Sequence, residues 1–116
     1  MLFRSTSLFS TGSSSLRRFF IAKYSSSGSL LWIKAAGSNE FFICDAEIVN
    51  NNLFLVGGIQ GTATYQGNTL ISNGSTDMCI LKLDTSGAVL NKKNFGGSGE
   101  DFIYDIETDN SGNLFV

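Results

Sequence analysis

The feature that most restricts what this chain can fold into is internal: the chain repeats itself. Phe20-Ile21-Ala22-Lys23-Tyr24-Ser25-Ser26-Ser27-Gly28 reappears as Cys79-Ile80-Leu81-Lys82-Leu83-Asp84-Thr85-Ser86-Gly87, with Lys82 and Gly87 each 59 positions after Lys23 and Gly28. At the same spacing, Ser29-Leu30-Leu31-Trp32-Ile33-Lys34 answers Ala88-Val89-Leu90-Asn91-Lys92-Lys93. After a one-residue slip, Gly37-Ser38-Asn39-Glu40 answers Gly97-Ser98-Gly99-Glu100, and Phe42-Ile43-Cys44-Asp45 answers Phe102-Ile103-Tyr104-Asp105. Asn52-Leu53-Phe54 then answers Asn113-Leu114-Phe115. A unit of about 60 residues, seen not quite twice, belongs with the repeat architectures, in which one supersecondary unit buries its apolar face only by stacking on the next.

Inside the unit the pattern is strand and turn. Runs rich in Phe, Ile, Leu, Val and Tyr last six to nine residues between clusters of Gly, Ser and Asn. Ser25-Ser26-Ser27-Gly28, Asp84-Thr85-Ser86-Gly87 and Asp109-Asn110-Ser111-Gly112-Asn113 have the composition of hairpin turns. Phe102, Tyr104 and Ile106 alternate with Asp105, Glu107 and Asp109, the period of a half-buried strand. No capped stretch of ten or more residues carries helical periodicity. Strands are expected near 19–25, 29–35, 41–49, 52–59, 78–84, 88–95, 101–109 and 113–116, with a small extra hairpin in the link 60–77.

These residues resemble the β-propeller repeat family of the SBBP type. The resemblance rests on Gly61-Thr62-Ala63-Thr64-Tyr65, on Gly74 through Gly87, on Phe95 through Asp101, and on Asp109 through Val116. It covers residues 19–116. It implies an all-β fold of four-stranded antiparallel blades around a central axis, and no common reaction. Two, four and two strands then read as half a blade, a whole blade and half a blade, an incomplete propeller. A longer native gene product is expected, as are open sheet edges that other blades of that chain or other copies of the protein would cover. The first copy departs from the family pattern: Ser25 replaces an acid, Asn50-Asn51-Asn52 replaces the Asp-x-Ser-Gly-Asn turn, and Phe41 stands where the second copy has Asp101. In the second copy, Asn91 stands in place of Trp32.

Composition limits the chemistry. The 116 residues contain no histidine, which removes His-based triads, His-ligated zinc and a histidine pH switch. The net charge of -2 favours no nucleic acid. All acids fall in residues 40–116, while residues 1–39 carry only Arg4, Arg17, Arg18, Lys23 and Lys34. The segment 1–18, basic and Ser-rich, fits a mitochondrial transit peptide or a disordered tail. Arg and Ser interrupt every apolar run there, so it is no secretory signal, and no stretch approaches the ~20 apolar residues of a membrane helix. The family resemblance points instead to a cell-surface or secreted protein.

Several residues invite a chemical reading, and each has a structural one beside it. Cys44 and Cys79 lack CxxC spacing and read as small buried hydrophobes with free thiols. Glu107 through Gly112 spaces oxygen ligands as a calcium loop does, yet the final acid of such a loop is missing, and a turn is favoured. Gly96-Gly97-Ser98-Gly99 is followed by Glu100 and Asp101, which would repel a phosphate, so it reads as a turn between blades. Asp45 and Asp105, with Glu47 and Glu107, recur at matching positions. They would line an axis as cation ligands or, as favoured here, accept backbone N–H bonds. Trp32 and the Phe-rich strands fit packing between sheets better than a sugar- or peptide-binding face. No catalytic, cofactor-binding or metal residue is assigned. The expected role is a non-catalytic structural or protein-interaction module, the alternative being a glycan- or calcium-binding propeller.

Overall fold

A computed structural model describes residues 19–35 and 41–116; the expectations for 1–18 and for the repeat match at 37–40 lie outside the described residues. The fold is all-β, with eight strands and no helix among the described residues: β1 (Phe20–Tyr24), β2 (Leu30–Ala35), β3 (Phe41–Val49), β4 (Asn52–Tyr65), β5 (Asn68–Leu83), β6 (Val89–Phe95), β7 (Glu107–Thr108) and β8 (Leu114–Phe115). They form a β1–β2 hairpin, a four-stranded sheet in the order β3-β4-β5-β6, and a β7–β8 hairpin. All ladders are antiparallel, and no sheet closes on itself.

The sequence repeat is also a repeat of hydrogen-bond register. In β1–β2, Phe20 faces Ala35, Ile21 faces Lys34, Ala22 faces Ile33, Lys23 faces Trp32 and Tyr24 faces Leu30, with a bulge between Lys23 and Tyr24. In β5–β6 the pairs are Cys79–Asn94, Ile80–Lys93, Leu81–Lys92, Lys82–Asn91 and Leu83–Val89, with the bulge between Lys82 and Leu83. A shift of 59 positions maps every pair of the first hairpin, bulge included, onto the second. The inner hairpins agree in the same way: Glu47–Phe54 and Ile48–Leu53 correspond to Glu107–Phe115 and Thr108–Leu114.

Three of the turns share one geometry. Ser25, Asp84 and Asp109 each donate their N–H to the carbonyl four residues on and accept from the glycine three residues on. Those glycines, Gly28, Gly87 and Gly112, all have φ near +80° (83°, 79° and 83°). The β3–β4 turn is shorter. Asn50 (φ 49°) and Asn51 (φ 63°) occupy its two central positions, the backbone of a primed turn that suits the strand twist.

The four-stranded sheet is covered on both faces, which is why its two central strands read as apolar runs where they are sandwiched, Leu53 to Ile59 and Met78 to Leu81. Leu55, Ile59, Cys79, Leu81 and Leu83 point to one side and pack with Phe41, Phe19 and Ile21. Val56, Phe54, Met78 and Ile80 point to the other and pack with Ile103, Ile106 and Leu114. The β1–β2 hairpin therefore lies over one face and residues 101–115 over the other.

Two expectations change. The extra hairpin is no separate element, because β4 and β5 run through it as one long ladder to Tyr65–Asn68, around a Gln66-Gly67 turn. The register shifts once, between Gln60 and Thr62, where Gly61 has φ 64° and donates its N–H to Ser72 Oγ (2.9 Å). That bend folds the tip back, burying Ala63, Tyr65 and Leu70 in the main core. Lys92 Nζ on Thr69 O (2.7 Å) and Asn94 Nδ2 on Ile71 O (2.9 Å) pin it to β6. Second, of the strand expected at 101–109 only Glu107–Thr108 is laddered. Before it, Asp101 N–H donates to Thr76 O, and Ile106 N–H to the Asp45 and Asp105 carboxylates, in place of ladder partners.

Close approach makes Gly57 the least replaceable position of β4: a Cβ there would land on the Phe42 carbonyl oxygen, with the Ile43 Cα at 2.8 Å. Gly61 has open space and needs glycine only for its φ. In a urea titration, Gly57→Ala is expected to destabilise by about 1–3 kcal/mol or more through overpacking against backbone. Gly61→Ala should cost about 1 kcal/mol, the scale of a strained positive φ. The opposite order would show that backbone conformation, not space, governs this ladder.

Candidate functional site

The polar side chains that the sequence singled out gather at the two junctions between sheets, not in one catalytic cleft. At the first junction, the β1–β2 hairpin meets the β5–β6 turn. Lys23 Nζ and Trp32 Nε1, opposite each other in the ladder, both donate to the Thr85 carbonyl (3.0 and 3.1 Å). The Trp32 ring covers Gly87, where a Cβ would come to 2.9 Å from Cη2. Gln66 adds a second tie, donating Nε2 to Gly87 O (2.6 Å) and accepting from Lys34 Nζ (3.4 Å). Trp32 is thus a packing and hydrogen-bonding wedge between sheets. Beside it lies a cavity of about 480 Å³ lined by Ile21, Lys23, Tyr24, Trp32, Leu53 and Asp84, among others.

Asp84 borders this cavity, but its carboxylate serves the turn: Oδ1 accepts from Ser86 N (2.8 Å), Ser86 Oγ (2.6 Å) and Ala88 N (3.0 Å). Asp109 repeats the arrangement, with Oδ1 on Ser111 N (2.8 Å) and Asn113 N (2.9 Å) and Oδ2 on Asn113 Nδ2 (2.7 Å). Both carboxylate oxygens of Asp109 thus accept from donors of its own turn. Where Ser25 replaces the acid, Oγ accepts from Ser29 N (3.1 Å) and shares a hydrogen bond with Ser27 Oγ (2.8 Å).

At the second junction, Asp45 of β3 reaches across to the segment before β7. Its Oδ2 accepts Ile106 N–H at 3.2 Å, and Asp105 Oδ1 accepts the same N–H at 2.9 Å. The two residues meet in space and do not perform the same task in successive sheets: Asp45 bridges two segments, and Asp105 caps its own neighbour. The Gly96–Gly99 stretch forms the connection around this sheet. Ser75 N donates to Gly99 O (3.1 Å), Asp101 N to Thr76 O (2.8 Å), and Gly97 N to Asp101 Oδ2 (2.8 Å).

One polar site was not singled out from sequence. Asp77 is fully buried. Its Oδ2 takes three donors, Asn73 N (3.1 Å), Asn73 Nδ2 (3.3 Å) and Asn94 Nδ2 (3.2 Å). Its carboxylate lies over Gly96, which is open to it only because that residue has no Cβ. The available signal was an acid heading an otherwise apolar run, Asp77-Met78-Cys79-Ile80-Leu81.

The cysteines part company. Cys79 is buried as expected, and desolvation, with Cys44 nearby as a smaller cause, pushes its thiol up to about 12. Cys44 is exposed, contrary to expectation, because it sits at the register shift between Ile43 and Asp45, where it has no ladder partner to turn it inward. Both are free thiols. Among the described residues no three His, Cys, Asp or Glu side chains are grouped to hold a metal ion. None of the described residues forms a helix long and apolar enough to cross a membrane. In comparisons with known proteins, no family model, curated protein or solved structure matches this chain.

The turn carboxylates make stability depend on acid. Hydrogen bonds hold Asp84 (the Ser86 hydroxyl first, then Ala88 N–H) and Asp109 (the Asn113 side chain first, then its N–H) below the usual aspartate value. A depressed folded pKa contributes stability that is complete above the unfolded value of about 3.9 and fades as pH falls through the folded values. The urea midpoint should therefore hold from about pH 7 to 5 and drop below about pH 4, and Asp84→Asn with Asp109→Asn should flatten that drop. An unchanged acid limb in the double variant would mean that these turns are not what titrates.

Asp77→Ala removes the buried oxygen that accepts from Asn73 N, Asn73 Nδ2 and Asn94 Nδ2, while Asn94 Nδ2 keeps Ile71 O and Asn73 is exposed to water. An expected loss of about 1–3 kcal/mol in a denaturant titration follows from the hydrogen bonds lost at that acceptor.

Proposed function

We propose that the chain is a non-catalytic β-propeller repeat module with a structural or protein-interaction role. In this reading β3–β6 form one blade, β1–β2 the outer half of the preceding blade and β7–β8 the inner half of the following one. The observation that carries it is the coincidence of register: every pair of β1–β2 maps onto β5–β6, and those of β7–β8 map onto β3–β4. Packing of one hairpin on each face of the four-stranded sheet supports it further, since blades bury their faces against neighbours on both sides. The junction side chains support a structural role, because Lys23, Trp32, Asp84, Asp109 and Asp45 all satisfy backbone groups.

Repeat arrays gain stability from each added neighbour interface. A chain carrying a second copy of residues 36–95, inserted in frame after Phe95, should unfold cooperatively at higher urea than the parent. A lower midpoint, or two separate transitions, would count against the module. The same preparation should show no turnover of ester, phosphoester or glycoside substrates. Turnover abolished by one point substitution would replace this reading with an enzyme.

A further inference from the structure

The four-stranded sheet states how its inner and outer hairpins join, and the two isolated hairpins each carry one half of that joint. In the intact sheet, Leu53 faces Leu83, Phe54 faces Lys82 and Leu55 faces Leu81. The ammonium of Lys82 sits over the Phe54 ring, 5.6 Å from its centroid. By the repeat correspondence, Leu114, Phe115 and Val116 stand for Leu53, Phe54 and Leu55, while Tyr24, Lys23 and Ala22 stand for Leu83, Lys82 and Leu81. Among the described residues, β8 pairs only with β7 and β1 only with β2.

Exposure marks the same residues as unfinished. Leu83 and Leu55 are 0% and 2% exposed, whereas their counterparts Tyr24 and Val116 are 60% and 66% exposed, and Phe115 is exposed where Phe54 is half-buried. A free edge flanked by apolar side chains is a template for strand addition.

We propose that the β8 edge binds the β1 edge of a second copy of this chain, antiparallel, with Leu114 facing Tyr24, Phe115 facing Lys23 and Val116 facing Ala22 of that copy. This rests on the repeat-module reading and adds the partner and its register. The order β7-β8-β1-β2 of the composite sheet reproduces β3-β4-β5-β6, with the second copy's Lys23 ammonium over the Phe115 ring as Lys82 lies over Phe54. The charge is available: Lys23 uses Nζ on Thr85 O within its own copy, and an ammonium has three donors. The contact joins two different surfaces, so it propagates head to tail and yields either a closed ring or an open chain of copies. Three residue pairs make a short joint, so association is expected to depend on concentration.

The test uses the full chain in a Cys44→Ser background, where the remaining Cys79 is buried. Ala22→Cys and Val116→Cys variants are mixed under mild oxidation. Directly opposed cross-strand residues fall within disulfide reach, while a shift of one residue turns the side chain to the other face. The expected result is a disulfide-linked pair from Ala22→Cys with Val116→Cys, and little or none from Lys23→Cys with Val116→Cys. Sedimentation should show masses above the monomer that grow from about 10 to 100 μM, the range in which exposed edges associate. A monomer throughout that range with no crosslink overturns the proposal, as does equal crosslinking of both mixtures, which would mean edge contact without register. Failure of the underlying module reading would appear separately, as absence of Lys23–Trp32 and Lys82–Asn91 cross-strand contacts in the NMR spectrum of the unsubstituted chain.

Discussion

The rest of the structure depends on the antiparallel ladder between β4 and β5. It supplies most of the buried side chains of the larger apolar cluster and Val56 of the smaller, and the pleat sends odd-numbered residues such as Leu55, Cys79 and Leu81 to one face and even-numbered ones such as Val56 and Ile80 to the other. A one-residue slip would exchange the two faces entirely. Gly57 helps to fix the register from outside the ladder, because β3 approaches so closely there that a Cβ would meet the Phe42 carbonyl. With that ladder in place, the hairpins have two prepared faces on which to lie.

Lateral order comes from a second kind of interaction, backbone carbonyls and N–H groups at turns satisfied by side chains of the adjoining sheet. Thr85 O receives Lys23 and Trp32, Gly87 O receives Gln66, and Ile106 N–H is received by Asp45. Each of these bonds joins segments distant in the chain, and the Thr85 and Gly87 carbonyls are presented by a turn that Asp84 holds in shape from within. The acids at Asp84 and Asp109 do double duty of a local kind: they fix the turn, and their ionisation ties that rigidity to pH.

Much of this was legible in the residues. The 59-residue correspondence, the Gly-terminated turns and the alternation of Phe, Ile and Leu with polar residues place β1, β2, β3 and β6 within a residue or two of their bounds. The favoured turn readings of Asp109-Asn110-Ser111-Gly112 and Gly96–Gly99 correspond to the hydrogen bonds found there. Other features depended on distant partners. The Thr62–Ile71 segment resembles a loop hairpin in composition, and only the bend at Gly61 and the burial of Tyr65 and Leu70 reveal it as core. Asp77 resembles a strand-edge acid until Asn73 and Asn94 are brought to it. Cys44 reads as buried by its apolar neighbours, but a register shift turns it outward.

The sequence by itself determined the repeat, the all-β class and the position of each tight turn, because these follow from neighbours within a few residues: side-chain period, positive-φ glycines and short acids beside free N–H groups. Only the tertiary structure decided which face each hairpin covers, which carbonyl Trp32 and Lys23 share, and that Asp45 and Asp105 meet at one N–H. Those pairings join residues 53 to 62 positions apart or, for the two aspartates, 60. No local preference encodes such a distance; it is set when two apolar faces exclude water together and the polar groups at their margins must then find partners.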